Sequence, residues 1–152
     1  MQNSCDILIT NASAVIPKVG IRSETNIMIE EGKIKALANS AENVSASRKI
    51  DAHGKYVLPG GIDPHVHYGV YTPINEAARS ESRSAAIGGI TTMIRMLRLN
   101  ESYRNNITTQ LLASKGNHYT DYSIHASILH PNHVTDISYL NEIGINLSLI
   151  HI

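Results

Sequence analysis

From residue 60 onward, short β-branched apolar runs alternate with stretches of helical spacing, and this alternation restricts the fold more than any other feature of the 152 residues. Gly60–Asp63 begins a strand, and Asn75–Gly88 has helical spacing and stops at Gly88-Gly89. Ile90–Leu97 reads as a strand, Ser102–Lys115 as a helix ended by Gly116, and Tyr122–Leu129 as a strand. His133–Ile143 then reads as a helix ended by Gly144, and Ile145–Ile152 as one more strand. The order β-α-β-α-β-α-β with short connections predicts parallel strands joined by helical crossovers. No Gly-rich phosphate fingerprint follows the first strand, which favours a (β/α)8 barrel over a nucleotide-binding sheet. A closed barrel takes eight units and about 250 residues. Three units and the start of a fourth are present, so residues 60–152 are expected to be an incomplete TIM barrel, truncated near strand 4.

Residues 1–59 have a different rhythm. Asp6–Thr10 and Ala14–Pro17 are brief apolar runs on either side of the turn-prone Asn11. Asn26–Glu30 and Lys33–Leu37 alternate polar and apolar side chains, and Glu31-Gly32 between them supplies a tight hairpin turn. Ala38–Ser47 is small, polar and without period, hence a loop. Lys49–Asp51 and Lys55–Leu58 flank His53-Gly54 and predict another turn-linked pair. A small β domain is expected before the α/β region.

Composition excludes several classes of function. Lys plus Arg equals Asp plus Glu at 13 each, so no net field draws the chain to nucleic acid or to an anionic membrane. No apolar run approaches 18 residues, and no signal-peptide core opens the chain; a cytoplasmic location is expected. The single Cys5 cannot form an internal disulfide. Phe and Trp are absent, so any core must be built from Ile, Leu, Val, Met and Tyr.

Of eight histidines, His65 and His67 stand one residue apart where the first barrel strand ends. On an extended segment, residues i and i+2 share a face, so both imidazoles can reach one point. Neutral imidazole is a common metal ligand, and barrel active sites lie at the strands' carboxyl ends. The pair is therefore a candidate metal site. Asp63, two residues earlier, is either a carboxylate that orients a ligand histidine or a polar cap on the strand end. Pro64 favours an extended Asp63.

The stretch GKYVLPGGIDPHVH, Gly54–His67, closely resembles the signature of the amidohydrolase superfamily, in its cyclic-amidase branch of dihydropyrimidinases, hydantoinases, allantoinases and dihydroorotases. DILITNASAV and NIMIEEGKIKAL resemble the N-terminal β-sandwich of these enzymes, AAIGGITTMI their first helix-to-strand junction, and TDYSIHASI their third barrel strand. The resemblance implies a partial β-sandwich over 1–59 and the start of the catalytic barrel over 60–152. It implies a site of two zinc ions in the full-length enzyme, with His65 and His67 as one half of the ligand set. A carboxylated lysine, two later histidines and an aspartate general base would complete it, so no catalytic residue is expected within this chain. The implied reaction is hydrolysis of a cyclic amide C–N bond, as in a dihydropyrimidine or hydantoin ring, by metal-activated hydroxide. A homo-oligomer, commonly a tetramer, is implied as well.

Three departures bear on that reading. Tyr68-Gly69 follows the histidine pair where dihydroorotases carry an Arg, which argues against that activity. Arg95-Met96-Leu97-Arg98 stands where many relatives have an Asp, and a surface or helix-contacting role is expected for both arginines. Leu149 stands where the bridging lysine is expected, and the closing LSLIHI departs from family sequence, so agreement is expected to end at about Asn146. A non-catalytic dihydropyrimidinase-like binding or assembly protein is the alternative that Leu149 favours. Two imidazoles alone leave zinc short of ligands, so the chain as it stands is expected not to catalyse. Among the other histidines, His125 is expected to be a hydrogen-bonded core or rim residue. His53, His118, His130 and His133 are expected to face solvent, and His151 falls in the divergent tail.

Overall fold

Ser4–Ile16 forms one continuous strand, β1, where the sequence predicts two short strands separated by a turn. Asn11 does take a positive φ of 53°. The chain absorbs it in the ladder: pairing with the antiparallel β2 (Gly20–Glu30) shifts register between Ile9 and Ala12. Such an irregularity bends a strand without releasing it from its partner. β2 turns into β3 (Lys33–Ala38) through Glu31 and Gly32, both at positive φ (50° and 72°), the geometry of the predicted hairpin.

The predicted pairing around His53-Gly54 is not formed. β4 (Ser45–Asp51) and β5 (Tyr56–Val57) each run parallel to β1, β4 along Ser4–Thr10 and β5 along Ser13–Ala14. The turn steps the chain forward along β1 instead of folding it back on itself. Backbone bonds from Ala52 to Thr10 and from Gly54 to Asn11 hold that step. The five strands make one mixed sheet in the order β3-β2-β1-β4, with β5 beside β1.

This computed structural model describes residues 4–146 and the backbone of 148–150, and the chain divides into two compact units at Pro59–Gly60. The second unit alternates as predicted: β6 (Gly61–Val66), α1 (Ile74–Ile87), β7 (Ile90–Leu97), α2 (Tyr103–Ser114) and β8 (Asp121–Ile128). Two short helices, α3 (Pro131–Thr135) and α4 (Ile137–Glu142), then lead to β9 (Ser148–Ile150). The sheet runs β6-β7-β8-β9 with every pair parallel, and among the described residues it stays open. The unit is the beginning of a β/α barrel, not a closed one.

Its core follows from the composition. Tyr103 is fully buried and packs with Ile107 of α2, with Ile124 and Ala126 of β8, and with Leu97 and Leu140. Its hydroxyl lies 2.8 Å from the carbonyls of both Leu97 and Ser127, so the phenol fills an aromatic-sized volume and ties the ends of β7 and β8 together. α1 lies against β7 through small side chains: Ala77, Ala78 and Ala85 share one cluster with Met93 of β7. The single helix expected over His133–Ile143 is instead two, broken at Asp136. The buried Asp136 carboxylate accepts the backbone N–H of Tyr103 and the hydroxyl of Ser102, so it caps the start of α2 from another element. Met1–Asn3, Leu147, His151 and Ile152 lie outside the described residues.

Candidate metal centre

β6 carries the histidine pair to its carboxyl end. Its register against β7 slips between Asp63 and Val66, across Pro64, which has no N–H to give to a ladder. Simple alternation therefore does not relate Asp63 to the pair. The Asp63 carboxylate accepts the backbone N–H of His65 at 3.1 Å, a local bond that fixes the chain at this slip. Asp63 thus acts on the backbone of His65.

His65 and His67 are both exposed, and their rings meet edge to face with centroids 5.0 Å apart. Their Nε2 atoms lie 3.0 Å from each other. With Zn–N bonds of about 2.0–2.1 Å, two nitrogens on one tetrahedral ion stand about 3.3 Å apart. A few tenths of an ångström of opening would convert this N–H···N contact into a chelating pair. The donor set fits a zinc-type cation, through two imidazole nitrogens aimed at one point. Among the described residues no third His, Cys, Asp or Glu joins them in a group able to hold a metal ion.

The loop beyond the pair is anchored from beneath. Tyr68 is buried, and Arg95 of β7 donates from Nε to its carbonyl at 3.0 Å while the guanidinium packs over its ring. Arg95 is only 5% exposed and reaches Gln110 of α2 with its other arm at 3.1 Å. Arg95 is thus no surface residue: of the two expected roles, the helix-contacting one is formed, together with a grip on Tyr68 that nothing in the sequence announces. Arg98, by contrast, is exposed. Burial lowers the Arg95 pKa from its ordinary value, and the neighbouring Tyr68 partly opposes this.

The Tyr68 hydroxyl lies 2.7 Å from His118 Nε2, and His118 Nδ1 lies 3.2 Å from the carbonyl of Ser114. Burial pushes the Tyr68 phenol up to about 12, so it stays protonated at neutral pH and donates to Nε2. His118 is thereby held as the neutral tautomer with its proton on Nδ1, donating to Ser114. Burial depresses its pKa, a backbone bond to Ser114 opposes this, and Arg95 lowers it further. His118 also stacks on Tyr122, with ring centroids 4.1 Å apart.

Two of the histidines expected in solvent are therefore inside. His118 is partly buried, and His133 is fully buried, its Nδ1 accepting the N–H of Leu129 and its Nε2 3.0 Å from the carbonyl of Glu101. Both occupy loop or helix-end positions in sequence, and only tertiary partners bury them. His53 and His130 are exposed, as expected. His125 lies on β8, two strands from β6, with Nδ1 buried and without a hydrogen-bond partner among the described residues. The structure does not bring it to the pair. Leu149 pairs by backbone with Ser127, while His151 lies outside the described residues.

Residues 48–100, which span the pair, match the amidohydrolase family. An L-hydantoinase of Paenarthrobacter aurescens is 42% identical over 93 residues, covering 60% of this chain and 20% of its own length. A D-hydantoinase of Streptomyces coelicolor is 32% identical over 133 residues, covering 79% of this chain and 28% of its own. Among solved structures, an L-hydantoinase (dihydropyrimidinase) from Arthrobacter aurescens superposes with a TM-score of 0.81 at 29% identity, over 95% of this chain and 32% of that one. A D-hydantoinase structure gives 0.78 at 30% identity, over 92% of this chain and 31% of that one. The chain thus spans about a third or less of the length of the relatives it matches.

Proposed function

The chain is related to the hydantoinase and dihydropyrimidinase branch of the amidohydrolase superfamily, and from that relationship we propose that the protein hydrolyses the C–N bond of a cyclic amide at a zinc centre to which His65 and His67 contribute. The observation that carries this reading is the convergence of the two Nε2 atoms to 3.0 Å at the carboxyl end of β6. Zinc bound there would polarise the amide carbonyl and supply a nucleophile at neutral pH. The chain's own part is to hold and aim two ligands. Asp63 pins the backbone of His65, and Arg95 fixes Tyr68, the residue after His67.

Zinc sites use three or four protein ligands, so these 152 residues by themselves hold a half-site and turn nothing over. The substrate is a small ring such as a dihydropyrimidine or hydantoin, acted on in the cytoplasm by a homo-oligomer. A chimera joining residues up to Asn146 to the remaining two thirds of the Streptomyces coelicolor D-hydantoinase tests the assignment. The expected result is opening of hydantoin or dihydrouracil, abolished by His65→Ala or His67→Ala. A folded, zinc-loaded chimera that opens neither ring contradicts it. Leu149 favours a second reading, a non-catalytic binding or assembly protein of the same fold, because a leucine on β9 cannot bridge metals. Restoring activity with Leu149→Lys in the full-length protein would separate the two.

A further inference from the structure

We propose that Arg95 is a positioning residue for the metal ligand His67, acting through the carbonyl of Tyr68. This inference rests on the reading of His65 and His67 as a metal pair. A buried guanidinium without a carboxylate partner is costly, because desolvation of the cation must be offset by bonds of fixed geometry. Among the described residues no salt bridge to Arg95 is formed. The bonds it makes are directional: Nε to the Tyr68 carbonyl at 3.0 Å, and a terminal nitrogen to Gln110 at 3.1 Å, with the guanidinium lying over the Tyr68 ring.

Those contacts converge on one short segment. His67 is the last residue before this clamp, and Gly69 is the first after it. Gly69 takes a φ of +71°, and a Cβ there would stand 2.8 Å from Ile74 Cδ1 and 3.3 Å from an Arg95 nitrogen. A side chain at Gly69 would run into both Ile74 and Arg95, so the guanidinium lies close over the backbone just past His67. On the near side, Asp63 holds the N–H of His65. The two imidazoles are exposed, and the contact they make is with each other, edge to face and through their Nε2 atoms. The backbone that carries them sets whether they can meet, and Arg95 is the buried group that fixes its far end. A planar fork that bonds, stacks and spans to α2 at once is a role for arginine and not for lysine.

The test uses the whole chain in two states. In the metal-free protein, contact between the His65 and His67 rings is read as a ring-proton nuclear Overhauser effect. In the second state, affinity for Zn2+ alone is measured by titration calorimetry. Arg95→Met is expected to erase the ring-to-ring signal and weaken zinc binding about tenfold, the lower end of what loss of a ligand-orienting group costs. Asp136→Ala, which loosens the same unit at the first turn of α2, is expected to keep both. Arg95→Lys, read in the same way, replaces Arg95→Met if the latter does not fold; it is expected to lose the ring signal and about threefold in affinity.

An intact ring signal in the Arg95 variant overturns the proposal. So does an equal loss of zinc affinity in Asp136→Ala, since the effect would then be general destabilisation. If the unaltered chain binds zinc no better than His67→Ala, the metal reading itself fails, and the metal-free ring signal still decides the role of Arg95.

Discussion

The carboxylate of Asp136 accepts the backbone N–H of Tyr103 at 2.7 Å, joining two residues 33 positions apart. Ser102, which precedes α2, makes no side-chain cap of its own and instead donates to the same carboxylate. Asp136→Ala leaves a buried backbone N–H without a partner, and caps of this kind contribute about 1–2 kcal/mol. Urea denaturation should show a loss of about 2 kcal/mol for Asp136→Ala and about half of that for Asp136→Asn, which keeps one acceptor. A loss below about 0.5 kcal/mol for the alanine variant would show that water caps α2 equally well.

Tyr103→Phe isolates the hydroxyl from the ring. The ring's packing against Ile107, Ile124 and Leu140 is kept, while the carbonyls of Leu97 and Ser127 lose their shared donor. The expected cost is about 1–1.5 kcal/mol, against about 3–5 kcal/mol for Tyr103→Ala, which also opens a cavity. Equal losses in the two variants would mean that the hydroxyl, not the packing, holds this core.

Gly69→Ala tests the tight passage after the histidine pair. The substitution forces a side chain into φ +71° and against Ile74. Left-handed strain and overpacking together predict a loss of about 1–3 kcal/mol in thermal or urea unfolding. An alanine variant as stable as the parent would show that this turn is looser than its contacts imply.

His118 gives a pH dependence of definite sign. Its folded pKa is depressed below the ordinary imidazole value of 6.5, chiefly by burial. The unfolded chain therefore takes up the proton first, and the stability due to neutral His118 is present above 6.5 and lost as pH falls through the folded pKa. Protonation would also set an Nε2–H against the donating Tyr68 phenol. Urea midpoints followed from about pH 8 down to about pH 5 should fall less steeply in His118→Asn than in the parent chain. Parallel curves for the two proteins would remove His118 from the account.

The sequence carried the alternation of the second unit closely, because each strand and helix there has its own period and a glycine stops each predicted helix. Ile90–Leu97 is a strand over the bounds its pattern gives. What failed were features set by partners distant in the chain. Asp136 divides a predicted helix in the segment that caps α2, and helical spacing cannot register that. β4 and β5 flank a good turn, yet each finds β1 instead of the other, since strand periodicity says nothing about pairing.

That the rings of His65 and His67 meet was legible from their spacing and their place at a strand end. The support beneath them was not. Arg95 interrupts an otherwise apolar run, and that interruption was the one signal that a charged side chain had turned inward. His118 and His133 lie in polar surroundings in sequence and are buried by partners that include Tyr68 and Tyr122 for the first and Tyr103 and Glu101 for the second. Their burial belongs to the tertiary structure alone.

The central claim is that His65 and His67 close on a single cation. Long-range nitrogen correlation spectra of the imidazole rings, recorded while zinc is added to the chain, test it at the level of the atoms involved. The account predicts that the Nε2 resonances of His65 and His67 shift together and reach their end point at one zinc per chain, while those of His118 and His133 stay fixed. Independent shifts of the two, or a response confined to the exposed His53 and His130, would contradict it.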